Sequence, residues 1–279
     1  MLFARYAFQI FGIGVAYAMS LWVTQLLARR TSGTSIRSSL ATFDWKRALF
    51  AGWLLGVAVR LVVSRLDLSP GGIAIAIMAF VFVFGFVLTM IEAAIFTEDS
   101  TPIRPSDAIG ALVSSGVVAT LAGLGMKPYR AGGGVLAENF QEYVETTGIG
   151  AAALDIALAS IAFMIVYNVV GTATWRFLRS NYADPSAGMG MRVLTTRNNL
   201  LVQLGRGLLA TLALMPILLS TTVRGLNSWA LVFMAVAITA GIVPVLSAVR
   251  WPRSLRIAHG IEVTVFASIQ SIAWLVLFR

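Results

Sequence analysis

Residues 68–91 read LSPGGIAIAIMAFVFVFGFVLTMI, an unbroken charge-free run bounded by Asp67 and Glu92. A helix needs roughly 20 mostly apolar residues to cross a bilayer, so this run predicts a transmembrane span. Working outward, Tyr6–Ala28 lies between Arg5 and Arg29 with no charge inside it. Ala108–Met126 is charge-free but rich in Gly and Ser, which makes it the weakest candidate. Ile156–Trp175, Gly207–Val223 (starting as early as Asn199), Gly225–Val249 and Val263–Phe278 (starting near Ala258) follow. Ala48–Leu66 is apolar apart from Arg60 and Arg65. The expectation is an all-α polytopic transmembrane helix bundle of about eight spans, or seven if Ala108–Met126 does not cross.

Composition agrees. The chain is 58% hydrophobic and 12% charged, with a mean hydropathy of +0.85; a soluble domain carries about 25% charge. Soluble, disordered and fibrous classes are thereby excluded. There is no cysteine, so disulfides, thiolate metal sites and a cysteine nucleophile are excluded too. The single histidine, His259, cannot supply the paired imidazoles of a b-type haem. No cofactor and no metal site are expected.

The net charge of +9 points to basic cytoplasmic loops beside anionic lipid, not to nucleic acid. With eight spans, the segments after the first, third, fifth and seventh hold thirteen Lys and Arg residues, and the opposite segments hold six. With seven spans the totals come out nearly equal. The asymmetry therefore predicts eight spans with both termini outside; the expected location is a bacterial inner membrane. Ala16-Tyr17-Ala18 resembles a signal-peptidase site, but the apolar run continues to Ala28 and Arg29-Arg30 follow it, as in an uncleaved first helix.

The whole of 1–279 reads as a single integral membrane domain. Its largest external piece is 127–148, which begins with Gly132-Gly133-Gly134 and continues as a short amphipathic segment. There Glu138, Glu142 and Glu145 share one helical face, the pattern of a solvated or interfacial helix. No internal repeat is visible between the two halves.

Ionisable groups inside a bilayer mark candidate sites. Arg60 and Asp155 fall in the same outer layer with opposite sign, which suggests a structural ion pair; Gly52, Gly56 and Arg60 share one face. At the inner ends of four spans stand Glu92 (with Thr89), Asn168 (with Gly171), the stripe Asn199–Gln203–Arg206, and His259 with Glu262, a face that Gln270 continues. Pro216 and Pro244 should kink their helices. The expectation is one polar cavity open to the cytoplasm, with Arg206 paired to Glu92 or Glu262. Nucleophile elbows, zinc-protease motifs and catalytic triads do not occur, so nothing specifies an enzyme. The leading reading is transport or permeation of a small solute, ion or lipid. The alternative is a non-catalytic structural subunit of a larger membrane complex, with membrane-protein partners or further copies of itself.

Gln203-x-x-Arg206-Gly207 with Pro216, and Leu255-Arg256-x-x-His259-x-x-Glu262, resemble a pattern in small multi-pass membrane proteins of GC-rich bacteria. The resemblance covers the C-terminal third. It implies a polytopic fold and carries no activity with it.

Overall fold

A computed structural model describes residues 2–31, 43–96, 105–125, 134–182, 196–247 and 253–278. The basic loop at 32–42, the turn at 184–190 and Gly132-Gly133 lie outside the described residues. Every described element is a helix: α1 (Leu2–Thr31), α2 (Trp45–Val63), α3 (Pro70–Phe82), α4 (Leu88–Phe96), α5 (Pro105–Gly125), α6 (Leu136–Thr147), α7 (Ile149–Tyr182), α8 (Thr196–Ser220), α9 (Leu226–Val236), α10 (Val243–Ser247) and α11 (Arg253–Phe278). A π-helical turn at Val83–Val87 joins α3 to α4, and another at Ala237–Ile242 joins α9 to α10, so each pair forms one continuous rod. The second π turn has a local cause: the ring of Pro244 would clash with the carbonyl one turn back, and a wider turn relieves it.

The helix starts follow their sequences. Asp44 caps α2, accepting a hydrogen bond from the Arg47 amide at 3.1 Å. Ser69 caps α3 through the Gly72 amide at 3.3 Å, with Pro70 in the first turn, where a missing N–H costs nothing. Gly148 (φ 86°) and Gly225 (φ 60°) turn the chain into α7 and α9, conformations that side chains resist.

Among the described residues, seven helices are long and apolar enough to span a membrane: Ala4–Thr24, Pro70–Glu92, Ala108–Gly125, Ile149–Trp175, Thr196–Ser220, Leu226–Leu246 and Arg256–Phe278. The protein is a multi-pass integral membrane protein. Ala108–Met126, the weakest candidate in the sequence, is among the seven, and the stretch that falls short is α2, whose Lys46, Arg47 and Arg60 interrupt it. Large apolar side chains such as Phe8, Ile75, Leu124, Ile149 and Val276 nonetheless face outward around the bundle, an apolar exterior that suits lipid and not water.

α2 runs antiparallel along α1. Trp45 packs on Trp22 at one end (ring centroids 5.8 Å apart), and at the other the Arg60 guanidinium lies 4.0 Å from the Tyr6 ring. A methyl group on Gly52 would stand 2.7 Å from the Gly14 carbonyl oxygen, and one on Gly56 2.8 Å from that of Ile10. Glycine is what permits this approach. The segments that follow α2 and α8 meet at one end of the bundle, called the upper end. There Asp67 donates its amide to the Ser220 carbonyl and Thr222 donates to Arg65, both at 2.8 Å. α6 lies across that end, with Asn139 donating to the Ser220 hydroxyl at 2.9 Å. α4 ends, and α2, α8 and α11 begin, toward the lower end.

Candidate functional site

Four elements bring polar side chains together in the lower half. α8 begins at Thr196, ahead of the predicted start, so Arg206 lies about 15 Å along it at 1.5 Å per residue. Its Nη2 donates to Glu92 Oε2 at 2.9 Å and its Nη1 to Gln203 Oε1 at 2.9 Å. Gln203 donates to Asn199 at 3.3 Å, and Asn199 donates to Asn168 of α7 at 2.7 Å. The stripe read from the i, i+4, i+7 spacing is thus a hydrogen-bonded chain that ties α8 to both α7 and α4.

Sequence reading missed Tyr167. Its hydroxyl donates to the other Glu92 oxygen at 2.8 Å, and its ring lies under the Arg206 guanidinium at 4.6 Å. Glu92 therefore receives one bond on each oxygen, from an arginine and a phenol on different helices. A cation stacked on an aromatic face and bonded to a carboxylate is well held even where water is scarce. The signal was the tyrosine next to Asn168 in mid-span, which reads equally well as a core aromatic.

On α11, His259 Nδ1 and Glu262 Oε2 are 3.4 Å apart. Gly171 of α7 faces that carboxylate: a methyl group there would stand 3.6 Å from Glu262 Oε1, an ordinary contact. Glu92, Tyr167, Arg206, His259 and Glu262 line one cavity of about 50 Å³, closed on its apolar side by Phe84, Phe163 and Phe266. That volume admits a few water molecules. Arg206 Nε is buried with no hydrogen-bond partner among the described residues. Accessibility is graded: the Glu92 side chain is 29% exposed and that of Arg206 6%. Gln270, higher on the α11 face, is fully buried and donates to the Ala159 carbonyl at 3.3 Å, a packing contact outside the cavity.

The structure does not join Arg60 to Asp155. Arg60 stacks on Tyr6, and Asp155 accepts from the Tyr143 hydroxyl at 2.7 Å. The reason is lateral: α2 packs on α1 and on the α9–α10 rod, whereas α7 packs on α8 and α11. Equal depth did not make the two residues neighbours. Tyr143, on α6, has its pKa raised, first by burial and then by the bond to the Asp155 carboxylate and its charge. Glu138, Glu142 and Glu145 are all exposed on α6, as expected of a solvated face. Among the described residues, no group of three His, Asp or Glu side chains could hold a metal ion. No protein-family model, curated protein or solved structure matches the chain.

Proposed function

We propose that the protein conducts a proton or a small cation through the polar cavity between α4, α7, α8 and α11, with the lower end of the bundle facing the cytoplasm of a bacterial cell. The basic excess in the lower loops supports that orientation, and anionic lipid would gather beside them. One observation carries the reading: two carboxylates, Glu92 and Glu262, line the water-sized cavity beside a single arginine. Neutralising Arg206 requires only Glu92, which already bonds it. Glu262 and His259 exceed what a structural pair needs, and intramembrane ionisable groups beyond that need belong to conduction paths. With His259 neutral, the described charges at the cavity sum to one negative. The site therefore attracts one positive charge, as a proton shared with His259 or as a cation against Glu262.

Reconstituted vesicles test this. Under an imposed inside-negative potential, an internal pH dye reports proton entry and labelled sodium reports cation entry. The expected result is flux by the parent protein and, for Glu262→Gln, flux reduced to that of empty vesicles. A parent protein no faster than empty vesicles would overturn the proposal and leave the structural-subunit reading in its place.

A further inference from the structure

The two halves of the chain repeat one packing scheme. In the first, α1 packs on α2, α5 packs on the α3–α4 rod, and α5 also packs on α1; in the second, α7 packs on α8, α11 packs on the α9–α10 rod, and α11 also packs on α7. The contacts between halves are exchanged in the same way, α2 with the α9–α10 rod and α8 with the α3–α4 rod. Residue positions correspond as well. A methyl group on Gly52 would press on Gly14 and Tyr17, and one on Gly207 on Ser160 and Phe163. Gly207 lies 155 residues after Gly52, and both of its partners lie 146 residues after theirs. The backbone bridge at the upper end pairs Leu66 with Thr221, again 155 residues apart. The same step carries the π turn at Val83–Val87 onto positions 238–242, inside the π turn at Ala237–Ile242. Helix pairing, close glycine contacts, the bridge and the π turns thus agree on one correspondence. It is a pseudo-twofold relation between parallel units, with its axis along the bundle.

The contacts between the units differ in kind along that axis. At the top, two reciprocal backbone bonds, Asp67 to Ser220 and Thr222 to Arg65, join them at a single bridge, a joint that tolerates rotation. At mid-depth the π turns face each other, and Gly85 leaves the Thr239 methyl 3.8 Å from where its own Cβ would be. At the bottom, Glu92 of the first unit is held by Arg206 and Tyr167 of the second. The positions corresponding to Gln203 and Arg206 in the first unit are Ala48 and Ala51, both buried. Among the described residues, only one of the two related interfaces carries a charged clasp.

We propose that the chain is a tandem of two four-helix units that swing about the Leu66–Thr221 bridge, and that the Glu92–Arg206–Tyr167 contact is the latch closing the cavity at the lower end. Rocking of related units about such an axis is how repeat-built membrane proteins change access. The α3–α4 rod from Pro70 to Glu92 is roughly 33 Å long at 1.5 Å per residue, so a tilt of about 10° carries Glu92 about 6 Å. That exceeds the reach of its hydrogen bonds. The motion rests on the conduction reading for its purpose, but it is read by distance and not by flux.

The chain has no native cysteine, so paired cysteines can carry spin labels without background. Lys46 and Arg197, exposed on the lower ends of the first and second units, report the latch end; Ser64 and Arg224, exposed at the top, report the bridge. In lipid nanodiscs, Glu92→Gln should lengthen the Lys46–Arg197 distance by about 5 Å, by the same lever, and leave Ser64–Arg224 in place. Should Glu92→Gln fold poorly, the double variant Glu92→Gln with Arg206→Gln, which leaves no buried charge unpaired, takes its place. Distances unchanged at both ends, or changed alike, would overturn the latch and the pivot. Opening without flux in the parent would sink the conduction reading alone; flux without opening would sink this proposal alone.

Discussion

Arg206 keeps only 5% of its surface exposed, and a guanidinium never sheds its charge to suit its surroundings. Its burial is tolerable because Glu92, Gln203 and the Tyr167 ring surround it. The two oxygens of Glu92 are divided between Arg206 and Tyr167. Removing that carboxylate therefore removes the charge partner and also takes the acceptor from a partly buried phenol. Glu92→Ala should lower stability by about 3–5 kcal/mol, seen as a fall in melting temperature in detergent. Glu92→Ala combined with Arg206→Leu should recover most of the loss, because no unpaired charge remains. If the double variant melts as low as the single one, the pair is not what stabilises this part of the bundle.

Among the helices, contact is made by residues that lack side chains. Gly207 lets α8 approach α7 so closely that a methyl group would stand 2.6 Å from the Ser160 carbonyl oxygen, and a helix backbone cannot yield locally. Gly207→Ala should cost about 1–3 kcal/mol. Gly205, on the same helix with nothing within 4 Å of its would-be methyl, should accept alanine with no loss, and thermal melts of the two variants compare them directly. Alanine is the better helix former at both positions, so a loss of equal size at Gly205 would mean that the approach of α7 does not set the cost at Gly207. This is also where sequence reading reaches its limit. Charge-free runs mark the helices because each crossing needs about 20 apolar residues, and helical spacing placed Asn199, Gln203 and Arg206 on one stripe. Depth is legible in that way, but lateral position is not. Arg60 and Asp155 share a layer yet sit on helices with different packing partners. Tyr167 escaped notice because an aromatic in mid-span gives the same signal whether it packs or binds. The repeat is carried by contacts that almost any small or apolar residue can make, so it leaves little trace beyond Gly52 and Gly207.

For the molecule as a whole, the open quantity is the number of crossings, and it turns on α2. By composition α2 falls short, since Lys46, Arg47 and Arg60 interrupt its 19 residues. By packing it does not. It lies along α1 from Trp22 to Tyr6, and its upper end leads into the bridge with Thr221. Two of its three charges are at its very start, where Asp44 pairs with Arg47 at 2.9 Å. The third, Arg60, lies near the opposite end over the Tyr6 ring, a short reach from the interface for a long side chain. A helix of this length, about 28 Å at 1.5 Å per residue, nearly matches the ~30 Å hydrocarbon core with its charges at the margins. Under the proposed correspondence with α8, which is apolar enough to span, α2 crosses as well. Single cysteines at Lys46, Ser64, Glu142 and Arg197, all exposed, decide the matter with a membrane-impermeant thiol reagent on intact cells. Ser64 and Glu142 should react from outside, while Lys46 and Arg197 should react only after permeabilisation. Labelling of Lys46 and Ser64 from the same side would remove α2 from the spans and, with it, the parallel relation between the two units.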